Sequence, residues 1–233
     1  MDKSNKYIFI YASVMIIVVA VALTVVAVQL KPAQENNIRV EKMRNILMAA
    51  NIETTVQNAE DLYKKFITST IVVNNKGETV QGDAFSVDFS LEVKKSPEQR
   101  QLPVYIFSGD GKEFYIVPVR GKGLWGPIWG YIAFKNDLNT IEGAVFDHKG
   151  ETPGLGAEID TRKFQSQFSG KQIFDGSGEF KSVAAKKGGA PDGDLHGVDA
   201  ISGGTITSDG LSKMLRDCLI DYVAFFKSKT NKS

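Results

Sequence analysis

The 233-residue sequence contains a single cysteine, Cys218, and two histidines, His148 and His196, far apart in the chain. One cysteine excludes an intrachain disulfide and any Cys-based zinc or iron–sulfur site built by this chain alone. Two distant histidines argue against a His-rich metal site. Charge of one sign is lacking as well: Lys and Arg number 28 against 27 Asp and Glu, a formal net charge of +1. No global field would draw in a phosphate backbone, so nucleic acid is not an expected partner. No internal repeat is visible. At 42% hydrophobic and 24% charged, the composition is that of a folded domain of roughly 200 residues with an addition at the N-terminus.

Long apolar runs, by contrast, are present. Tyr7 to Leu30 carries no charged residue over about 24 positions, enough to cross a hydrocarbon core of about 30 Å as a helix. About a dozen Ile, Leu, Phe and Val at roughly −0.3 to −0.6 kcal/mol each favour insertion, beyond what Ser13, Thr24 and Gln29 offset. The run exceeds the roughly 7–15-residue apolar region of a cleaved signal peptide. Its Ala-x-Ala pattern, Ala20 to Ala22, lies inside the run rather than after it. An uncleaved transmembrane helix over residues 7–30 is the expectation. Lys3 and Lys6 precede it and Lys31, Arg39, Lys42 and Arg44 follow it, so the basic residues do not decide orientation. A short N-terminus, residues 1–6, ahead of a long domain favours a cytoplasmic start and an extracytoplasmic domain.

Beyond Lys31-Pro32, the spacing of Ile38, Val40, Met43, Ile46, Leu47 and Met48 predicts a stalk helix over 31–52, leading into a domain over 53–233. Gln57 to Phe66 reads as helical. The β-branched run Ile71 to Val73 ends at Asn74-Asn75-Lys76-Gly77, which has turn chemistry. Phe85 to Val93 alternates apolar and polar residues and predicts a strand. Val104 to Phe107 and Phe114 to Val119 flank Ser108-Gly109-Asp110-Gly111 and predict a hairpin. Leu124 to Phe134 and Thr140 to Phe146 continue the sheet. Arg162 to Phe168 predicts a short helix or strand. Gly176 to Gly197, rich in glycine and carrying Lys186-Lys187, predicts a long exposed loop with both lysines in solvent. From Leu211 to Phe226 an amphipathic period places Cys218 on the apolar side of a final helix, as a buried packing residue. Successive strands without alternating long helices make this an α+β fold: an N-terminal transmembrane helix followed by a mainly antiparallel sheet with flanking helices.

Asp199 to Ser208 leads straight into that final helix, with Ser208 or Thr207 placed to cap it. Read from the residues, this Gly/Ser/Thr junction suits a phosphate, because glycines let N–H groups approach an anion and a helix start offers unpaired donors. It is equally an ordinary turn and cap. Glu151-Thr152-Pro153-Gly154-Leu155-Gly156 reads locally as a tight turn. His148 precedes Glu151 and can hydrogen-bond within that loop.

Both segments carry a resemblance. Asp199-x-x-Ser202-Gly203-Gly204-Thr205 resembles the Asp-x-x-Ser/Thr-Gly-Ala-Thr flavinylation motif of FMN-carrying subunits of the Nqr and Rnf respiratory complexes, with Gly204 standing where the family has Ala. The 151–156 hexapeptide resembles a second signature of the same FMN-binding domain, in the expected order. Gly123-Leu124-Trp125-Gly126 is similar to a Gly-Leu-Trp element of the C subunit of Na+-translocating NADH:quinone reductase more than of the Rnf G subunit.

The resemblance implies FMN joined covalently through its phosphate to Thr205 by a flavin transferase. It implies cofactor contacts from Asp199, Ser202, Gly203, Gly204 and Thr207, and from Glu151, Thr152, Gly154, Leu155 and Gly156. Trp125 is open to two readings, beside the flavin or packed in the core of a strand. The implied role is electron relay from an iron centre in the membrane subunits to the flavin-bearing B subunit during Na+ export. The chain itself is expected to lack a Gly-x-Gly-x-x-Gly nucleotide element for NADH and a quinone pocket, and so to hold no complete active site. An Rnf-type carrier, or a cofactor-free anchored binding domain whose glycine motifs are only turns, remains open from the sequence.

Overall fold

The computed structural model describes residues 5–109 and 111–230, so Met1 to Ser4 of the expected N-terminal tail and Asp110 of the expected hairpin turn lie outside it. The described residues form two units that divide between Lys42 and Met43. The first consists of most of one helix, α1 (Asn5–Ala49), which runs through Pro32 without a break. Its apolar stretch is long and apolar enough to cross a membrane and has none of its residues covered by the rest of the chain. The Ile, Val, Leu and Phe side chains that face outward there would otherwise stand in water.

The second unit starts with the last turns of α1, where Met43, Ile46, Leu47 and Ala49 are buried. Asn51, at φ 61°, stops the helix. The Ile52 N–H donates to Leu47 O and the Asn51 N–H to Met48 O, a Schellman ending. Then follow α2 (Ala59–Phe66), β1 (Ile67–Val73), β2 (Thr79–Val80), α3 (Phe89–Glu92), β3 (Leu102–Gly109), β4 (Lys112–Lys122), β5 (Pro127–Phe134) and β6 (Ile141–His148). These strands make one antiparallel six-stranded sheet in the order β2-β1-β3-β4-β5-β6. The chain closes with α4 (Arg162–Gln165), a short parallel pair β7 (Ala184–Lys186) and β8 (Gly197–Asp199), and α5 (Thr205–Thr230).

Both faces of the sheet are covered. Val104, Val117, Ile132 and Phe146 point to a cluster with Leu211, Leu215, Tyr222 and Phe226 of α5. Their strand neighbours Tyr105, Ile116, Ala133 and Val145 point the other way, to a cluster with Ile46 and Leu47. Side chains alternate across a strand, so a sheet buried on both sides shows apolar residues at consecutive positions, as Ile116-Val117 and Ile132-Ala133-Phe134 do.

Three expectations are corrected. Phe85 to Val93 is not a strand: Asp83 accepts from the Phe85 N–H at 3.0 Å, and Asp88 caps α3 by accepting from the Ser90 N–H at 2.9 Å. Its alternation arises because Phe85 and Val87 pack against one cluster and Phe89 and Val93 against the other, as the segment passes between faces. Gly176 to Gly197 is not wholly a surface loop, since Val183 is buried and β7 pairs with β8. Lys186 and Lys187 do face solvent. Leu124 to Gly126 is a turn, β5 starting at Pro127.

Candidate functional site

Three segments far apart in sequence meet at the start of α5. The turn joining β4 to β5 contributes Gly123 and Trp125, the turn after β6 contributes residues 151–156, and the turn before α5 contributes residues 201–204. Glu151 connects them. Its side chain is buried, at 4% exposure, yet both oxygens are served. Oε1 accepts from the Trp125 backbone N–H at 2.8 Å, and Oε2 accepts from the Thr207 hydroxyl. Burial alone would push this carboxyl up. The Thr207 hydroxyl and the backbone N–H groups of Trp125, Leu124 and Gly126 outweigh it and hold the group below its ordinary value of 4.5. The Glu151 N–H in turn donates to His148 Nδ1 at 3.1 Å. That places the ring proton on Nε2, which lies 3.5 Å from Asp160 Oδ2.

Glycines line this clasp because nothing larger fits. A Cβ on Gly123 would lie 2.6 Å from Glu151 Oε1, and one on Gly156 would lie 2.6 Å from Glu151 Oε2 and also collide with the Thr207 hydroxyl. Gly203 adopts φ +73°, and a Cβ there would sit 2.6 Å from Leu155 Cδ2, so the Leu155 side chain already covers that face.

The helix begins one turn earlier than the sequence suggests. The Ser208 N–H bonds to Gly204 O at 2.9 Å, which makes Gly204 the capping position and Thr205 the first helical residue. Neither Ser208 nor Thr207 caps. Ser208 Oγ accepts from the Ile201 N–H at 3.1 Å and so shapes the turn, while Thr207 serves Glu151.

Glu151, Leu155, Gly156, Gly203, Gly204 and Thr207 are thus joined in one web, with Trp125 joined through its backbone. Thr205 is exposed at the helix start, and Ser202, Thr152 and Gly154 are exposed in the adjoining turns. Asp199 stands apart: its carboxylate accepts from the Ala190 N–H at 2.8 Å and its N–H donates to Gln167, fixing the preceding turn. The core reading of Trp125 is overturned, since its side chain is 69% exposed in a turn. Leu124, Leu155 and Ile206 are exposed near it in sequence or through the web. His148 completes the clasp through the loop hydrogen bond expected of it, whereas Gly123 does so without standing out as a site residue in the sequence; its place beside Leu124-Trp125 is the available signal.

The expected absence of a Gly-x-Gly-x-x-Gly pattern also needs correcting. Gly121, Gly123 and Gly126 have that spacing, but they join two antiparallel strands and open no helix, so the pattern lacks the N-terminus a pyrophosphate needs.

Residues 123–220, which include every part of this clasp, match the model of the FMN-binding domain family. Over 227 residues the chain is 32% identical to the C subunit of the Na+-translocating NADH-quinone reductase of Vibrio anguillarum, covering 90% of this chain and 88% of that relative. It is 33% identical to the same protein of Haemophilus ducreyi, covering 82% and 80%. The crystal structure of the C subunit from Parabacteroides distasonis is similar with a TM-score of 0.78 at 45% identity, over 84% of this chain and 96% of that one. That of NqrC from Shewanella oneidensis gives 0.71 at 31% identity, over 83% and 98%. At these identities and over most of both chains' lengths, the chain belongs to the family of C subunits of the Na+-translocating NADH-quinone reductase.

Proposed function

We propose that this chain is the electron-carrying C subunit of a Na+-translocating NADH:quinone oxidoreductase, with FMN held by a phosphoester to Thr205. The observation that carries the reading is the placement of Thr205: an exposed hydroxyl on the first residue of a 26-residue helix, next to a glycine turn. The first N–H groups of a helix have no intrahelical partner, and they favour negative charge beside them by about 0.3–1 kcal/mol. A phosphoryl group on Thr205 would meet those donors. The residues fit the group: Gly203 and Gly204 add no side chain of their own beside Thr205, and Leu124, Trp125, Leu155 and Ile206 offer exposed apolar surface for a flat ring.

FMN, when bound, supplies the capacity to take up and release electrons. The protein's own residues do the rest. Glu151 ties the Trp125 turn to the first turn of α5 and so fixes the spacing between attachment point and apolar surface. Its role is to orient the loops, since both oxygens are already committed within the protein. Gly154 and Thr152 form the exposed turn that carries Leu155, whose side chain lies over Gly203. Ser202 borders Thr205 in the open turn. A covalent link keeps the group at a high effective concentration that no dilution removes.

In this reading residues 7–30 span the inner membrane once, 31–52 form a stalk, and 53–233 stand on the extracytoplasmic side. Electrons pass between iron-bearing membrane subunits and the flavin-bearing B subunit, and a flavin transferase completes the chain. Intact and peptide mass spectrometry after co-expression with a flavin transferase tests the attachment. An FMN-sized addition on the Thr205 peptide, absent from Thr205→Ala, is expected. No addition with an active transferase, or an addition that persists in Thr205→Ala, overturns it and favours a cofactor-free anchored domain or another attachment residue.

A further inference from the structure

α5 contains one glycine, Gly210, which neither starts nor ends the helix. Glycine is among the poorest helix formers, so the position calls for a reason outside the helix. Its neighbours supply one. A Cβ on Gly210 would collide with the Lys122 carbonyl oxygen and lie 3.4 Å from Gly123 Cα, so the backbone at the end of β4 occupies the place where a side chain would begin. One turn further along, a Cβ on Gly121 would lie 2.6 Å from Met214 Cβ. Thr207, Gly210 and Met214 stand at i, i+3 and i+7 and share one face of α5. Gly121 lies on Met214 and Lys122-Gly123 on Gly210, while Glu151 bonds to Thr207.

The turn after β4 moves with Gly123, because the Gly123 N–H donates to Gly126 O at 2.8 Å and closes the turn that carries Leu124 and Trp125. Two links of opposite sense hold that turn to the helix. Glu151, which accepts from the Trp125 N–H at 2.8 Å and from the Thr207 hydroxyl, limits how far it can retreat. Gly210 limits how near it can come and, having no side chain, sets that limit at backbone contact. An ordinary carbon–oxygen contact is about 3.3–3.6 Å, so a methyl group on Gly210 would drive the turn outward by about 1 Å, against the Glu151 tie.

We propose that Gly210 is a positioning residue for the cofactor. By admitting the β4 backbone onto α5 it sets the distance between the Trp125 turn and Thr205, and with it the seat open to a ring carried on Thr205. The inference rests on the FMN reading given above. Gly210 lies five residues after Thr205, about 7.5 Å along the helix axis, so a methyl there alters the seat without altering the attachment residue.

The test compares Gly210→Ala with Gly176→Ala, whose Cβ would meet nothing within 4 Å, in the full-length, detergent-solubilised chain. In a cofactor-free Thr205→Ala background, amide hydrogen exchange at Trp125 is expected to speed up about tenfold or more in Gly210→Ala, as weakening of a hydrogen bond to a charged acceptor predicts, and to stay unchanged in Gly176→Ala. In chains co-expressed with a flavin transferase, both variants should carry FMN by mass spectrometry. The visible circular dichroism of the flavin should fall, and its quenching by iodide should rise, in Gly210→Ala alone. If Gly210→Ala does not fold, Gly121→Ala, whose nearest contact is the Met214 side chain, is read in its place with the same expectations. Unchanged exchange at Trp125 overturns the inference whether or not FMN is attached. Faster exchange with unaltered flavin dichroism and quenching overturns it too, since the turn then moves without the ring sensing it. No FMN on the otherwise unaltered chain overturns the attachment reading and the inference with it, and mass spectrometry alone tells that case from the other two.

Discussion

Thr207→Val removes one donor from the buried Glu151 carboxylate and changes little else, because valine and threonine have nearly the same shape. A hydrogen bond to a charged acceptor contributes about 1.5–3 kcal/mol. Glu151 keeps the Trp125 N–H, so the loss should be near 2 kcal/mol. For a folded unit of the size of Met43–Ser233, each kcal/mol shifts the midpoint by about 2–4 °C, giving a fall in Tm of about 4–8 °C at pH 7.

The pH dependence is a sharper check. Glu151 sits below its ordinary value of 4.5 when folded, so its contribution is present above that value and is lost as pH falls through the lower folded value. In the variant the carboxyl rises toward or past 4.5. The difference between the two proteins should therefore be full at pH 7 and shrink steadily below about pH 5. Thermal unfolding followed by circular dichroism from pH 7 to pH 3 measures this. A Tm unchanged by the substitution at pH 7, or a difference that stays constant down to pH 3, would refute the role given to the clasp.

Other substitutions probe neighbouring features. Gly156→Ala forces a methyl against Glu151 and Thr207 and should cost about 1–3 kcal/mol in urea unfolding, with a lower yield of FMN adduct by mass spectrometry. Arg100→Ala leaves Asp221, 8% exposed, charged and unpaired; a loss of about 3–5 kcal/mol is expected, and Arg100→Ala/Asp221→Leu should recover much of it in the same assay. Burial pushes the Cys218 thiol up to about 11, so iodoacetamide at pH 8 should leave it unmodified in the folded chain and label it rapidly in urea.

The elements most legible in the sequence are those whose pattern is set locally. A run such as Tyr7 to Leu30 needs no partner to declare itself, and β3 to β6 carry β-branched and aromatic residues between turn signals. Phe85 to Val93 misleads because period two has two causes: one buried face, or a segment whose alternate residues serve different cores. The capping position of α5, Gly204, lies three to four residues before the expected caps because Ser208 and Thr207, good capping residues by type, are claimed by Ile201 and Glu151. Glu151 and Thr207 each stand out, but the bond between them spans 56 positions and depends on how β6 and α5 pack, which no local pattern carries.

Thr205 opens a helix whose buried residues run from Thr207 to Phe226, a packed length of about 30 Å at 1.5 Å per residue. A lever bedded along that distance turns only if the hydrophobic core turns with it. Anything attached at its tip hangs from a pivot with no slack of its own, leaving just the side-chain torsions of Thr205 and those of the attached group. For a group carried there, reach is then set by the length of the tether and not by breathing of the domain.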